Sequence, residues 1–241
     1  MLEQREQTPE LMDGDGFDAD LAEASYRFIE RTNRFFGGIS SVRKFIRRQL
    51  KINAGEKPLR VLDLGSGGCD IPITISRWAF RRGLPITFTC VEKNRHAVNH
   101  ARKRISEAGL SSIRLVEEDV FSFLKRTSEI FDCASTSMLF HHLNEEEIDG
   151  LLHALPRVVE GPLFVGDLKR SAAAYCGCWL YTLCSHTGVR MDARTSVRRS
   201  FSTLELERIL ADHPAVSDSE VRSHGFLRIE GMAHFLKYEN F

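Results

Sequence analysis

Residues 60–70 read Arg-Val-Leu-Asp-Leu-Gly-Ser-Gly-Gly-Cys-Asp, a short apolar strand followed by a glycine-rich turn and the start of a helix. Glycine has no Cβ, so the backbone of such a turn can come close to a bound ligand. Two carboxylates flank the turn, Asp63 before it and Asp70 after it. Because phosphate prefers neutral or basic surroundings, this acidic turn favours a nucleoside ligand that carries positive charge.

Strand and helix patterns alternate on both sides of this turn. Strands are predicted at 59–64, 86–91, 112–117, 132–136 and 162–167, and helices at 71–82, 95–108 and 145–159. This order predicts right-handed βαβ units and a parallel sheet that is covered on both faces. After a helix at 203–210, two last strands at 217–224 and 227–238 predict an antiparallel hairpin.

Composition limits the class of protein. The 241 residues are 42% hydrophobic, which is enough for one core, and Lys+Arg and Asp+Glu are both 33. Zero net charge argues against a nucleic-acid partner. The spacing of the six cysteines matches neither a zinc site nor a disulfide framework, so no metal is expected. With no signal peptide and no apolar run of ~20 residues, the sequence predicts a soluble, cytoplasmic protein without a membrane span.

Three ligands compete for the glycine turn. A P-loop would need Gly-x-x-x-x-Gly-Lys-Ser/Thr, and the chain lacks that lysine and hydroxyl here. A dinucleotide fold would place its third glycine at Asp70, where a carboxylate would face the pyrophosphate. Like charges cost on the order of 4 kcal/mol at 4 Å with an effective dielectric constant near 20. S-adenosylmethionine, with its sulfonium and ammonium groups, suits an acidic turn better.

Residues 61–68, Val-Leu-Asp-Leu-Gly-Ser-Gly-Gly, resemble the first motif of the class I S-adenosylmethionine-dependent methyltransferases. Cys69 stands where the family pattern has its third glycine. The resemblance covers most of residues 59–168. It implies a Rossmann-like α/β fold, with a mostly parallel seven-stranded sheet, an antiparallel C-terminal hairpin, an N-terminal helical cap and inserted lid helices.

The same resemblance implies how the cofactor is held. Glu92 ends the second strand, where a carboxylate can accept hydrogen bonds from both ribose hydroxyls. Asp119 matches the acidic contact to the adenine amino group. For each acid alone, the alternative is an ordinary carboxylate that faces solvent. Three acids at successive strand ends, Asp63, Glu92 and Asp119, argue against a chance arrangement. The implied contacts to S-adenosylmethionine are Asp63, Gly65, Ser66, Gly67, Asp70, Glu92, Lys93, Asp119, Val120 and Thr136.

Residues 131–143 resemble the fourth-strand motif of small-molecule methyltransferases, which often ends in paired histidines. They lack the Asn/Asp-Pro-Pro-Tyr/Phe motif of amino-methylating enzymes and the acidic pair of magnesium-dependent ones. Histidine, with an unperturbed pKa near 6.5, suits deprotonation of a phenol. His141 or His142 is therefore the candidate catalytic base or acceptor-orienting residue. The alternative is that either histidine packs against or caps the next helix.

The predicted organisation is a mobile tail at 1–18, a helical cap at 19–53 and a methyltransferase domain at 54–241 with a lid insert at 168–200. In this family the cap and the insert usually build the acceptor pocket. Tyr175, Trp179 and His186 are candidate substrate-binding residues, with packing of an added helix as the alternative. The segments 33–38, 167–170 and 192–201 also resemble quinone-methylase-like proteins, although these resemblances are less specific than that of the first motif.

Together these features predict methyl transfer from S-adenosylmethionine to a small aromatic, phenolic or quinone-like acceptor. Methylation of oxygen is favoured over carbon, in secondary metabolism, by a monomer or homodimer. Two other functions stay open, methylation of a protein or RNA and binding of S-adenosylmethionine without catalysis.

Overall fold

The computed structural model describes residues 2–13, 19–53 and 57–237. Within these residues, seven strands form one sheet in the order β3-β2-β1-β4-β5-β7-β6. The strands are β1 (Leu59–Leu64), β2 (Ile86–Glu92), β3 (Ile113–Glu117), β4 (Cys133–Ser137), β5 (Leu163–Leu168), β6 (Val216–His224) and β7 (Arg228–Phe235). Neighbours from β3 to β5 pair in parallel, whereas β7 is antiparallel to both β5 and β6. The predicted fold class is confirmed. Tyr238, the predicted end of the last strand, lies outside the described residues.

Helices cover both faces of the sheet. They are α1 (Ala19–Phe35), α2 (Gly38–Ile52), α3 (Asp70–Phe80), α4 (Arg95–Ala108), α5 (Val120–Arg126), α6 (Glu145–Ala154), α7 (Ala172–Tyr181), α8 (Thr187–Arg199) and α9 (Thr203–Ala211). The helix predicted over 145–159 is wrong at its end, since α6 stops at Ala154 and Pro156 lies in a short 3-10 turn. None of the helices in the described part of the chain is long and apolar enough to cross a membrane.

The sheet is buried on both faces, which explains the nearly continuous apolar run of its central strand. In β1, only Arg60 is exposed. Leu62 and Leu64 join one core cluster, which includes residues of α5, α6 and α9. Val61 joins a second cluster with residues of α2, α3 and α4. Two packed faces fix the strands rigidly, so the residues at their carboxyl ends are held at defined positions along one edge.

The N-terminal segment, residues 2–13, lies along α8. The Glu6 amide donates to the Arg198 carbonyl at 3.2 Å, and the Leu11 amide donates to Asp192 Oδ1 at 2.7 Å. The sequence predicts a mobile tail over 1–18, yet residues 2–13 follow a hydrogen-bonded path because α8 supplies acceptors for their amides. Residues 1 and 14–18 of that predicted tail lie outside the described residues.

Candidate active site

A cavity of about 970 Å³ opens at the carboxyl ends of the parallel strands. One half of its lining comes from the glycine turn and from the connections between β2 and α4 and between β3 and α5. The other half comes from the N-terminal segment, α1, the turn after β4, α7 and α8. The volume lies at the upper end of the range for small-molecule sites, ~300–1,000 Å³. This single cavity therefore has two chemically different halves, which we call the nucleoside half and the acceptor half.

The glycine turn has three residues in the left-handed region, Gly65 (φ 65°), Gly67 (φ 51°) and Cys69 (φ 54°). A Cβ on Gly65 would lie 2.8 Å from Leu139 Cδ1, whereas one on Gly67 would meet no atom within 4 Å. Gly67 thus presents bare backbone to the cavity. Cys69 adopts the conformation that favours glycine, at a cost of about 1–2 kcal/mol. Its fully buried thiol takes the third glycine's place without blocking the cavity.

Two buried carboxylates flank this turn, as the sequence indicates. Asp63 accepts a hydrogen bond from Ser135 Oγ at 2.6 Å, and Asp70 accepts one from Asn33 Nδ2 at 3.0 Å. Burial raises the pKa of Asp63 to about 6 and also raises the pKa of Asp70. Since burial penalises the charged form, a cation beside either carboxylate would restore the charge.

Glu92 and Asp119 complete the acidic rim. Glu92 accepts from the Gly67 amide through Oε2 and from the Asn94 amide through Oε1, both at 2.8 Å. Asp119 caps α5 by accepting from the Phe121 and Ser122 amides through Oδ1. A carboxylate offers about four acceptor positions, so each side chain is oriented by the backbone and can still accept hydrogen bonds from a ligand.

All but one of the predicted cofactor residues line the cavity, namely Asp63, Gly65, Ser66, Gly67, Asp70, Glu92, Lys93, Asp119 and Val120. Thr136 does not line it. Its side chain is 1% exposed because β4 lies in the middle of the sheet. The structure therefore brings nine of the ten predicted residues together and leaves Thr136 inside the core.

The two histidines lie in a 3-10 turn, Phe140–His142, after β4. His141 is buried, and its Nδ1 lies 2.6 Å from Asp167 Oδ1. The His141 amide also donates to Asp167 Oδ2 at 3.0 Å. On its other side, His141 Nε2 lies 3.5 Å from Glu10 Oε1. His142 is half-buried and lines the cavity beside them.

These contacts decide the charge of His141. Burial by itself would lower the pKa of His141, but the Asp167 and Glu10 carboxylates raise it to about 10. The pKa of Asp167 is lowered, because its interaction with His141 exceeds the effect of burial. With no ligand bound, His141 is a cation between two carboxylates at neutral pH, and a cationic imidazole cannot accept a proton.

Two arginines hold the histidine turn through its carbonyl groups. Arg199 Nε donates to the His141 carbonyl at 3.0 Å, and Arg199 Nη2 donates to the His142 carbonyl at 3.1 Å. Arg5 Nη2 donates to the Leu143 carbonyl at 2.9 Å. Sequence reasoning missed Arg5 and Glu10, which lie in the predicted tail, and the local pattern around them carries no signal of this role.

The acceptor half is lined mainly by apolar side chains, including Phe28, Phe36, Met138, Leu168, Tyr181, Val189 and Val197. The Tyr181 ring lies 4.9 Å from that of Phe36, in an edge-on arrangement, and 5.4 Å from that of Phe28, measured between centroids. This aromatic cluster provides a surface for a flat, apolar molecule.

The three predicted substrate-binding residues do not line this cavity. Trp179 is 44% exposed and carries the Arg194 guanidinium over its ring. His186 caps α8 by accepting from the Gly188 amide, and Tyr175 packs against the core cluster of α7 and α8. Helical periodicity gives the reason, since Cys178 and Tyr181, three residues apart, share the face that points into the cavity.

Comparisons with known proteins agree with this geometry. Residues 61–161 match the family model of a methyltransferase domain. A comparison of the sequence with curated proteins finds no match. The plantazolicin methyltransferase BpumL, solved with S-adenosylhomocysteine, superposes with a TM-score of 0.67 at 15% identity, over 93% of each chain.

Two further solved structures share the fold. A SAM-dependent methyltransferase from Aquifex aeolicus has a TM-score of 0.61 at 16% identity, over 91% of this chain and 100% of that one. Magnesium protoporphyrin IX methyltransferase from Synechocystis PCC 6803, with bound SAM, has a TM-score of 0.54 at 14% identity, over 94% and 88%. Residues 61–161 thus match a methyltransferase domain, and the chain shares its fold with solved S-adenosylmethionine-dependent methyltransferases.

Proposed function

We propose that this protein transfers the methyl group of S-adenosylmethionine to a small aromatic acceptor, phenolic or quinone-like, at oxygen in preference to carbon. One observation carries the proposal. A single cavity of about 970 Å³ joins an acidic rim at the strand ends to an aromatic wall, with the histidine turn between them. A cationic nucleoside suits the first half, and a flat, apolar acceptor suits the second.

In the nucleoside half, the resemblance and the geometry support the same roles. Glu92 accepts from the ribose hydroxyls, and Asp119 accepts from the adenine amino group. The bare backbone at Gly67 lets the ligand approach, while the buried charge of Asp63 attracts the cationic end. Ser66, Gly65, Asp70, Lys93 and Val120 line the same space.

Methyl transfer is an in-line displacement. The acceptor oxygen forms a bond to the methyl carbon as the carbon–sulfur bond breaks, the sulfonium becomes a neutral thioether, and the phenolic proton passes to His142 and from there to solvent. The protein mainly aligns the two reactants and excludes water. His142 is the better-placed of the two histidines to contact the acceptor hydroxyl. His141 positions the turn, because its ring is held by Asp167 and Glu10.

The aromatic wall of the cavity consists of the clustered rings of Phe28, Phe36 and Tyr181. This cluster favours an acceptor with a flat ring. A second candidate is an azole-containing peptide. It is supported by the fold's likeness to BpumL, which was solved with azolic analogues of desmethyl-plantazolicin. Both candidates share the same nucleoside half and differ only in what lies against the aromatic wall.

The test is a turnover screen with S-adenosylmethionine, read as a product mass gain of one methyl group. The panel contains phenols, hydroxyquinones and azole peptides. We expect methylation of phenols or hydroxyquinones, and Tyr181→Ala to raise the KM for that acceptor more than it lowers kcat. The exposed, adjacent Leu180→Ala is the control. Methylation of azole peptides alone would overturn the acceptor class, and binding without turnover would overturn catalysis on this panel.

A further inference from the structure

We propose that Glu10, His141 and His142 bind one divalent transition-metal ion at the boundary between the two halves of the cavity. Each residue offers one ligand atom, and these atoms all lie within 4.8 Å of one another. All three residues line the cavity, so an ion here would face a bound acceptor. The carboxylate comes from the N-terminal segment, which explains why the sequence, lacking an acidic pair beside the fourth strand, indicates no metal.

The surroundings of His141 fit a metal ligand. Asp167 lies on Nδ1, so Nδ1 carries a hydrogen and Nε2 is the ring atom that faces Glu10. Nε2 is fully buried and makes no hydrogen bond. A carboxylate behind a histidine is the usual means of fixing the orientation of a metal-binding imidazole. On metal binding, the ion would replace the Nε2 proton of the cationic ring, and that proton would go to solvent.

The distance between His141 and Glu10 also fits a shared ion. The 3.5 Å between Nε2 and Oε1 is long for a hydrogen bond to a carboxylate. Two ligands bound at about 2.1 Å to a tetrahedral ion lie about 3.4 Å apart. Two imidazoles and one carboxylate favour ions such as Zn²⁺, Fe²⁺ or Co²⁺ over Mg²⁺, which prefers oxygen ligands.

Two side chains of α8 also hold this cluster in place. Ser196 Oγ donates to Glu10 Oε1 at 2.7 Å, which orients that carboxylate from α8. Arg199 binds the carbonyls of both histidines, which fixes the turn between β4 and α6. Oriented ligands lose little freedom when an ion binds, so this arrangement favours affinity.

A second cluster in the described residues, Asp149, His153 and His213, shows the contrast. In this cluster, His213 Nδ1 accepts a hydrogen bond from the Ala215 amide at 3.2 Å, which leaves the proton of the neutral ring on Nε2. That is the His213 nitrogen that faces His153 and Asp149, and because it carries the only proton of a neutral ring, it has no lone pair for a metal. Asp149 and His153 are exposed and lie outside the cavity lining.

In the reaction, the ion would bind the acceptor oxygen and stabilise its deprotonated form, with the hydroxyl proton released to solvent. This role rests on the proposed methyl transfer, whereas metal binding itself does not. A phenol or hydroxyquinone oxygen is a suitable ligand for such an ion, so the site narrows the acceptor to molecules with an ionisable hydroxyl.

The test uses the full chain, stripped with EDTA and titrated with Co²⁺, with visible absorption and calorimetry as readouts. We expect one Co²⁺ per chain, and His142→Gln and Glu10→Gln to weaken binding at least roughly tenfold. His153→Gln, the matched histidine of the second cluster, should leave binding unchanged. Circular dichroism checks the fold of each variant. Electron paramagnetic resonance of the wild-type protein with Cu²⁺ should show coupling to two imidazole nitrogens, and this measurement does not depend on the folding of a variant.

Absence of Co²⁺ and Zn²⁺ binding would overturn the site, as would binding that survives both ligand variants or is lost in His153→Gln. Calorimetry with S-adenosylmethionine on the same sample separates the two proposals. Nucleoside binding without Co²⁺ binding removes only the metal site. Co²⁺ binding without nucleoside binding supports the metal site and removes the methyl-transfer proposal.

Discussion

The two halves of the cavity are assembled in different ways. The nucleoside half uses consecutive strand ends, because the residues at 63–70, 92–97 and 119–121 lie at or directly after the carboxyl ends of β1, β2 and β3. The acceptor half joins distant segments, as Glu10 meets His141 and Arg5 meets Arg199. A ligand shared by many proteins can be bound by a local motif, whereas an acceptor pocket depends on segments that differ from protein to protein.

The electrostatics of the halves differ as well. Burial raises the pKa of Asp63, whereas the pKa of Asp167 is lowered by its pairing with His141. The nucleoside half therefore gains from an incoming cation, and the acceptor half already holds one as the protonated imidazole. Four variants, or a change of pH, test this contrast.

The largest expected effect is on stability, in the acceptor half. Asp167→Asn leaves the buried His141 with one carboxylate fewer, and breaking a buried pair costs about 3–5 kcal/mol of the free energy of unfolding. Urea denaturation measures it. Asp149→Asn, which removes an exposed carboxylate beside His153 and His213, should cost at most about 1 kcal/mol. Equal losses of stability in the two variants would show that the buried Asp167–His141 pair contributes no more than the exposed Asp149 pairs.

Next comes cofactor affinity in the nucleoside half. Glu92→Ala removes the proposed acceptor for both ribose hydroxyls and should weaken S-adenosylmethionine binding by about 2–3 kcal/mol, measured by calorimetry. Glu117→Ala is the control, because Glu117 sits opposite Glu92 on β3 but is exposed and paired with Arg102. If Glu117→Ala lost as much affinity, the rim assignment would be wrong.

A glycine pair isolates the role of bare backbone. Gly67 and Gly83 both have positive φ and open space where a Cβ would stand, but only Gly67 lines the cavity. Alanine at either position should cost about 1–2 kcal/mol of stability through backbone strain. We expect only Gly67→Ala to weaken nucleoside binding as well, by roughly tenfold, or 1.4 kcal/mol. Unchanged affinity in that variant would place the ligand elsewhere.

The smallest effect is the pH dependence of cofactor affinity. Below its pKa of about 6, Asp63 is neutral and no longer attracts the cation, so affinity falls as the pH drops from 7 to 5. The fall should be at most about tenfold over this whole range, because the charged fraction of Asp63 itself falls about tenfold between pH 7 and pH 5. The raised pKa has the opposite effect on stability, because protonated Asp63 favours the folded state and that contribution is lost as the pH rises from about 4 to 6. Asp63→Asn should remove both dependences, and an unchanged pH profile in this variant would exclude Asp63 as the source.

The same division explains what sequence could predict. Strand-end acids and glycines are readable because the parallel sheet brings its carboxyl ends to one edge, whatever the rest of the chain does. Trp179 is suitable by residue type, but the helical phase places it away from the cavity, whereas Tyr181 lines the cavity. Glu10 carries no local pattern at all, since its role comes from packing against α8.

Calorimetry of the wild-type protein with S-adenosylmethionine, S-adenosylhomocysteine and NAD tests the central claim most directly, that the acidic rim binds a sulfonium nucleoside. We predict one molecule of S-adenosylmethionine or S-adenosylhomocysteine bound per chain, and no binding of NAD. Tight binding of NAD with no signal from either adenosyl ligand would contradict it.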